Sequence, residues 1–321
     1  MPDYKFIQNP ITKEWVMSAP RRAKRPNIGK ETAPEICPFC PGSEATSTEI
    51  LRVSPRKPNG SISSEWQVRV INNKYPFTPI HEVVIHSPDH DKSFEDFSLH
   101  QIELIVKIFK NRYLEHQDKG QVYIFHNRGK KAGESITHSH TQIVVVPDQI
   151  KLNTPKLDPD ASVGYSPHAL QLYTDHDLDD SLRCMEKEDM IETPNSYMFC
   201  PASSNWPDEV WFAPKERMHT FGEITDTEIA DFSYTLQRLI QIFKLRHQRE
   251  FPFNFYIHPG RDWYLRIIPR IKVLGGFEVG TGVFVNTQDP KETIKFIKDH
   301  FEAPNIAKIL AEDTAEYSTR V

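Results

Sequence analysis

The chain has 321 residues, and its 38% hydrophobic and 26% charged residues are typical of an ordinary globular protein. The formal net charge of −5 argues against non-specific nucleic-acid binding, which usually requires a basic surplus. The start, MPDYKFIQNP, lacks the basic and apolar regions of a signal peptide, and no apolar stretch approaches the roughly 20 residues that span a membrane. Four cysteines are too few for a disulfide scaffold. We therefore expect a cytoplasmic protein that binds neither nucleic acid nor membrane.

Predicted elements become regular only after a first layer of about 80 residues that is rich in Pro, Asn and basic residues. That layer carries short strands at 14–17 and 67–71. The chain then predicts a strand, an amphipathic helix, a strand, a turn-rich loop and a buried strand. These lie at residues 82–86, 98–116, 121–126, 129–133 and 142–146.

The second half repeats this order, which indicates an internal duplication. Strands are predicted at 209–213, 253–258 and 264–269, and a helix at 225–248. Short pieces align as well, such as YIFHN with FYIHP and IVVVP with RIIPR. We therefore predict an α+β fold in which a duplicated half forms one extended, mostly antiparallel sheet flanked by helices. The predicted domains are 1–150, a connecting excursion at 151–190, and 191–321.

The stretch GESITHSHTQIVVVP, residues 133–147, places His138, His140 and Gln142 at alternate positions before a buried strand. In an extended chain these three side chains point to one face, with Ser139 and Thr141 behind them. An edge strand with a solvated face would give the same pattern. Two histidines and an amide in register favour a functional site. Counting back from the closing prolines, His140 falls opposite Asp262 of the second half and Gln142 opposite Tyr264, so the second half has no histidines in this row.

A metal site is predicted from the pair Cys37 and Cys40, because CxxC is half of a common zinc site and a closed structural site has four ligands. Cys184 and Cys200 are candidates for the other half. His90 follows the strand expected beside that of His138, so a Cys₂His₂ set is the better choice. An unliganded or redox thiol pair is the alternative, but the compact βαβ start of a thioredoxin-like fold is missing. If His138 completes the set, His140 is free to react.

Several motifs together resemble the galactose-1-phosphate uridylyltransferase family, the nucleotidyl-transferring branch of the histidine-triad superfamily. They are NPITKEWVMSAPRRAKRP, CPFCPGSE, SPDHDK, FHNRG, GESITHSHTQ, NWPDEVWFAPKERM and PRIKVLGGFEVGTG, in the family's order. The resemblance implies a duplicated histidine-triad (HIT-like) fold and a dimer. It also implies a two-step exchange in which a histidine takes a nucleoside monophosphate from a nucleotide-sugar and passes it to a sugar 1-phosphate or to phosphate.

The resemblance assigns roles to individual residues. His140 matches the nucleophile and Gln142 the group that holds a phosphoryl oxygen, while Cys37, Cys40, His90 and His138 match the zinc ligands. Ser135 and Asn127 match the phosphate contacts, and Arg22, Arg25 and Asn73 match positions near the nucleotide. Gly129 would let backbone amides approach the phosphate, and a flexible loop is the alternative. Lys272, Phe277 and Glu278 match the segment that, in this dimeric family, closes over the sugar bound by the partner subunit.

Departures from the family pattern are local. Ser139 and Thr141 stand where proline and glycine are often found, and Glu134 stands where a small residue is usual. A second metal site of some members uses a glutamate after the signature and histidines in the second half. Residues 141–185 contain no glutamate and DWYLRIIP contains no histidine, so we predict that this second site is absent.

The leading hypothesis is a UDP-glucose:hexose-1-phosphate uridylyltransferase of galactose metabolism. The close alternative is an ADP-glucose phosphorylase that uses phosphate as acceptor. Two further alternatives are a nucleotide hydrolase, which would need the intermediate open to water, and a zinc-stabilised binding protein that has lost catalysis.

Overall fold

A computed structural model describes residues 4–24, 36–56, 61–152, 154, 190–201, 204–216, 219–247 and 251–303. Arg25, Cys184 and nearly all of the predicted excursion at 151–190 lie outside these ranges. By their contacts, the residues form two units. The first comprises Met1–Asn127 and Gly133–Thr154, and the second comprises Arg128–Ala132 and Pro155–Val321.

The strands of the first unit are β1 Lys5–Gln8, β2 Trp15–Ser18, β3 Glu49–Val53, β4 Val68–Asn72, β5 Ile80–Ile85, β6 Gln121–Arg128 and β7 His140–Val146. Five of them form an antiparallel sheet with the order β3-β4-β5-β7-β6. The separate hairpin β1-β2 packs through Phe6 and Trp15 against the cluster of Val144, Val146 and Ile150. Every residue of β7 is buried, as its β-branched apolar run predicts for a central strand. The strand begins two residues earlier than predicted, so His140 and Gln142 lie within it.

The helix α1, Leu99–His116, covers one face of this sheet. Ser98 caps its N-terminus by accepting a hydrogen bond from the backbone N–H of Gln101, as expected of a serine at that position. Near its other end, Arg112 and His116 contact the Glu82 carboxylate of β5 at 2.7 Å each. Since Glu82 points to one face of β5, His81 and Val83 point to the opposite face, away from α1.

The second unit has the same architecture, with the strand order β8-β9-β10-β12-β11 and one long helix between its third and fourth strands. The bounds are β8 Met190–Glu192, β9 Ser196–Phe199, β10 Val210–Pro214, α2 Asp226–His247, β11 Phe253–Ile257 and β12 Leu265–Pro269. Two further helices follow, α3 Gly276–Thr281 and α4 Pro290–Phe301. Both units therefore run strand, strand, strand, helix, strand, strand in the same spatial order, and the predicted α+β fold class is confirmed.

The strand registers correct the alignment of the two halves by one residue. Phe125, which precedes His126, pairs with Gln142, and Ile257, which precedes His258, pairs with Leu265. Leu265 thus occupies the place of Gln142, whereas the closing prolines predicted Tyr264. The second unit carries an apolar residue at this position. Among the residues that the structure describes, no helix is long and apolar enough to cross a membrane.

Candidate active site and metal centre

The structure brings together the four predicted metal ligands, Cys37, Cys40, His90 and His138, whose ligand atoms all lie within 4.8 Å of one another. Cys40 Sγ lies 3.3 Å from His90 Nδ1 and 3.5 Å from His138 Nδ1. Cys37 Sγ lies 3.7 Å from His138 Nδ1. The two cysteines lie in the loop before β3, His90 follows β5 and His138 precedes β7, so the antiparallel pairing of β5 with β7 joins the set.

These distances fit one metal ion. Bond lengths of about 2.3 Å to sulfur and about 2.05 Å to nitrogen at tetrahedral angles place sulfur and nitrogen ligands about 3.6 Å apart. The Nε2–H of His138 donates to the Ser87 carbonyl at 2.7 Å, which leaves Nδ1 unprotonated and facing the cluster. Burial lowers the pKa of His138, which favours the neutral ring that a metal requires. Burial and the neighbouring Cys37 raise the pKa of Cys40 to about 11, so its thiolate needs a cation beside it.

His140, the predicted nucleophile, is held in one tautomer. Its Nδ1 lies 2.8 Å from the His138 carbonyl, and since a carbonyl only accepts, Nδ1 carries the proton. The unprotonated Nε2 therefore bears the lone pair. The Phe39 ring packs edge-on against His140 at 5.1 Å between centroids and against His138 at 6.1 Å. The loop of the cysteine pair thus supports both the metal ligand and the predicted nucleophile.

The reverse face of this strand carries a second buried network. Ser139 and Thr141 point away from the histidine row, and their hydroxyls bond the two nitrogens of His86 at 2.9 and 2.8 Å. Burial holds the pKa of His86 well below its usual range, so this ring is neutral. His126 stacks on it and donates through Nδ1 to the His140 carbonyl at 2.7 Å. The two departures from the family signature therefore fix the strand from behind and leave the row unchanged.

A cavity of about 250 Å³ opens beside His140 in the first unit. Apolar atoms form most of its wall, and nine of its fifteen lining residues also carry polar side chains, a combination found in small-molecule sites. It is lined by Ile36, Pro38, Phe39, Thr46, Ser47, Ile71, Asn72, Asn73, Lys74, Tyr75, Val83, Ser135, Ile136, His140 and Gln142. Four predicted site residues therefore meet here: His140, Gln142, Ser135 and Asn73.

Gln142 is 7% exposed, and its Oε1 lies 3.0 Å from Nε2 of His81. Nδ2 of Asn73 lies 3.0 Å from the same ring nitrogen. Arg22 is fixed nearby, since its Nη1 donates to the Tyr75 carbonyl at 2.9 Å and its guanidinium stacks on the Phe77 ring at 4.6 Å. These two contacts hold the Arg22 side chain in place, which favours a binding role for it.

Two predicted phosphate contacts, Asn127 and Gly129, are not among the residues lining this cavity. Asn127 is half-buried near the end of β6. Gly129 belongs to the second unit and has a φ of +81°, and a Cβ there would lie 2.9 Å from Cβ of Pro252. The backbone geometry alone therefore requires glycine at this position, and its contact with phosphate remains a prediction.

Lys272, Phe277 and Glu278 lie in the second unit, in and just before α3. Lys272 Nζ contacts both the Glu278 carboxylate and the Val285 carbonyl. The hydrogen bond from Lys272 lowers the pKa of Glu278, so this carboxylate stays ionised. The Phe277 ring is 58% exposed. More than half of the surface of Phe277 is therefore open within the described part of this unit.

Three residues of the site escaped prediction from the sequence: Phe39, His81 and His86. Phe39 stands inside the cysteine pair, where only the metal ligands drew notice. His81 lies within β5 and His86 directly follows it, and the sequence of this strand is that of ordinary core. The alternation of His81, Val83 and Ile85 with Glu82 and Val84 could have assigned His81 to the site face, had the neighbouring strand been known.

The chain is similar to galactose-1-phosphate uridylyltransferases and to ADP-glucose phosphorylase, both in sequence and in structure. The family described as "Galactose-1-phosphate uridyl transferase, N-terminal domain" matches residues 78–146. ADP-glucose phosphorylase of Arabidopsis thaliana is 27% identical over 91% of this chain and 92% of its own length. Galactose-1-phosphate uridylyltransferase of Thermotoga maritima is 24% identical over 91% of this chain and 96% of its own.

Solved structures agree with these relatives. The crystal structure of the Arabidopsis thaliana ADP-glucose phosphorylase with bound ADP-glucose superposes with a TM-score of 0.66 at 26% identity, covering 92% of this chain and 98% of that one. A uridylyltransferase structure gives a TM-score of 0.70 at 24% identity, covering 93% and 99%, and shows the shared fold. These matches confirm the resemblance that the motifs predicted, and they confirm nucleotidyltransferase as the enzyme class.

Proposed function

We propose that the protein exchanges a nucleoside monophosphate between a nucleotide-sugar and a sugar 1-phosphate through a nucleotidyl-His140 intermediate. The observation that carries this proposal is the tautomer of His140. Its Nδ1–H is tied to the His138 carbonyl, so the lone pair of Nε2 belongs to a ring that lines the cavity. A neutral imidazole is a good nucleophile near pH 7 and a good leaving group afterwards.

The exchange has two balanced steps. Nε2 of His140 attacks the α-phosphorus of the donor, the bond from that phosphorus to the bridging oxygen breaks, and the sugar 1-phosphate leaves with the electron pair. A phosphate oxygen of the acceptor then attacks the same phosphorus, the P–N bond breaks, and neutral His140 returns. Negative charge accumulates on the phosphoryl oxygens in both steps, so positioned donors should supply most of the rate enhancement.

Gln142 and Ser135 are the donors proposed for those oxygens. Gln142 lies on the same face as His140, one pleat further along β7, and Ser135 lines the cavity beside it. Asn73 and Arg22 are proposed to hold the nucleotide, together with Arg25, Asn127 and Gly129. Lys272, Phe277 and Glu278 are proposed to hold the sugar.

We propose that the Cys₂His₂ cluster holds one zinc ion. Two thiolates and two imidazoles in a tetrahedral arrangement are the ligands of structural zinc sites. All four positions are filled by side chains, so zinc bound here would supply stability and no open coordination site. Through His138 and the ring of Phe39, it would fix the loop and strand that carry His140.

The donor is proposed to be UDP-glucose and the acceptor a hexose 1-phosphate, as in galactose metabolism. A specific observation supports the second candidate, ADP-glucose with inorganic phosphate as acceptor. The 27% identical relative is an ADP-glucose phosphorylase, and the structure of that class with 26% identity contains ADP-glucose. The class of chemistry is the same for both donors, and only the base and the acceptor differ.

We also propose a cytoplasmic homodimer. The dimer is supported by five apolar residues in one segment of the second unit, Val273, Phe277, Val279, Val283 and Val285, each at least 50% exposed. Exposed apolar side chains that are grouped together mark interaction surfaces. The segment includes the predicted sugar-binding Phe277.

The experiment that tests the proposed function is intact-protein mass spectrometry after brief incubation with UDP-glucose and, separately, with ADP-glucose. We expect wild type to gain one nucleoside monophosphate from one donor and to lose it when the matching acceptor is added. His140→Ala should gain nothing while retaining its metal and its thermal stability. An unchanged mass with both donors, or a mass gain in His140→Ala, would contradict the proposal.

A further inference from the structure

His81 occupies the site face of β5, diagonally across the β5–β7 pair from Gln142, since Val83 is the residue paired with Gln142. Its ring is 3% exposed and Phe77 packs edge-on against it at 4.4 Å. Its backbone carbonyl accepts a hydrogen bond from the backbone N–H of Asn73 at 2.8 Å. The ring is therefore held by both packing and backbone. It does not line the cavity, so any effect on the reaction must pass through the residues that it contacts.

Two neighbours make opposite demands on Nε2 of this ring. Oε1 of Gln142, at 3.0 Å, requires a donor. Nδ2 of Asn73, also at 3.0 Å, requires an acceptor. The Asn73 amide cannot reverse without loss, because its Oδ1 accepts the backbone N–H of Tyr75 at 2.8 Å. A neutral imidazole nitrogen either donates or accepts, so it satisfies one of the two neighbours at a time.

The choice decides which end of the Gln142 amide faces the cavity. With the proton on Nε2, His81 donates to Oε1 of Gln142, and the NH₂ group of Gln142 is left for a phosphoryl oxygen. Nδ2 of Asn73 is then also free of the ring and can donate to the nucleotide. With the proton on Nδ1, Nε2 of His81 accepts from Asn73 and repels Oε1 of Gln142. Gln142 must then turn its carbonyl oxygen towards the phosphoryl group, and the contact between these oxygens is repulsive.

We propose that His81 is a positioning residue that, as the Nε2–H tautomer, orients Gln142 for phosphoryl transfer. This inference rests on the proposed function of Gln142 and His140. It assigns His81 no contact with the substrate. One hydrogen bond, from His81 to Gln142 across the β5–β7 pair, sets the orientation of the Gln142 amide.

The first test measures the single-turnover rate of adduct formation at saturating donor, by quenching and intact-protein mass. Removing a direct phosphoryl donor costs about 10²–10³ in rate, so losing the support of one should cost about ten- to hundredfold in His81→Phe. His81→Gln can place an amide N–H where Nε2 stands and should recover most of the rate. The donor concentration for half-maximal rate should change less than about threefold, since binding is not the step affected.

A double-mutant cycle separates positioning from general damage. In a Gln142→Ala background, His81→Phe should change the rate by less than about twofold, because the group that His81 orients is gone. The exposed His100 on α1 supplies a matched control, and His100→Phe should leave the rate unchanged. Metal content and thermal unfolding are recorded for every variant.

The second test needs no variant. Long-range ¹⁵N–¹H NMR of histidine-labelled, zinc-loaded wild type, with the nucleoside monophosphate of the active donor bound, should show the His81 proton on Nε2. Three results would each overturn the inference while leaving the proposed function intact. They are a His81 proton on Nδ1, a single-turnover rate of His81→Phe equal to that of wild type, and a rate loss from His81→Phe that is as large in the Gln142→Ala background as in wild type. Absence of any adduct in wild type would overturn both.

Discussion

Phe39 offers a sharp test of how the metal loop supports the nucleophile. Its ring is 7% exposed and packs in a cluster with Trp66, Ile71, Val83 and Ile85. Its edge contacts reach His138 and His140 as well. We predict that Phe39→Ala destabilises the first unit, because it removes this packing and leaves a cavity beneath the cysteine loop.

The magnitude follows from the burial. Replacing a buried phenylalanine by alanine costs about 3–5 kcal/mol of unfolding free energy. For a unit of this size, each kcal/mol lowers the melting temperature by about 2–4 °C, so the expected decrease is roughly 6–20 °C. Phe39→Leu keeps most of the buried area and should cost only about 1–1.5 kcal/mol.

The assay is calorimetric unfolding of the zinc-loaded protein, repeated after chelation. The transition that shifts on chelation reports the first unit, and the Phe39 variants should move that transition. Leu114→Ala is the control, since Leu114 lies on α1 with 42% of its surface exposed and should shift stability by no more than about 0.5 kcal/mol. A melting temperature within about 2 °C of wild type for Phe39→Ala, with metal still bound, would refute the reasoning.

Three further predictions concern proton linkage and backbone geometry. Because the pKa of Cys40 is raised to about 11, metal binding must release at least one proton. Competition titrations should show the metal affinity rising by at least about tenfold per pH unit between pH 6 and 8, and a flat profile would contradict this. Glu82→Gln should cost about 3–5 kcal/mol in urea unfolding at pH 7, by leaving its buried cationic partner on α1 unpaired. Burial alone would raise the pKa of Glu82, but the hydrogen bonds that it accepts from α1 outweigh burial and lower this pKa. The stability difference between Glu82→Gln and wild type should therefore shrink as pH falls below about 4.3 and vanish in acid. A stability difference that stays constant with pH would argue against the ion pair. Gly129→Ala should be less stable than Gly133→Ala, because both have positive φ but only Gly129 would bring a Cβ against Pro252, and equal melting temperatures would exclude that contact.

Elements whose signals are local could be predicted from the amino-acid sequence. The period of 3.6 predicted α1 to within one residue, and the β-branched run after Gln142 predicted the central strand. Alternation placed His140 and Gln142 on one face. The metal ligands could be proposed from residue type and spacing, because thiols and imidazoles outside a disulfide scaffold have few other uses in such a pattern.

Short elements were missed where the local signal was weak. The strands β3, β8 and β9 have three to five residues each, and their form depends on a neighbouring strand that supplies hydrogen bonds. The alignment of the halves was shifted by one residue, because matching closing prolines cannot reveal which residues pair across a ladder. Only the observed pairing showed that Leu265 stands in the place of Gln142.

Tertiary structure alone decided what surrounds the reactive row. His81 meets Gln142 across 61 positions of sequence, and His86 meets Ser139 across 53. Such contacts depend on strand register, and a slip of one residue would turn every side chain to the other face. The residue types of this site are therefore written locally in the chain, whereas the tautomer of His140 and the orientation of Gln142 exist only once the strands have paired.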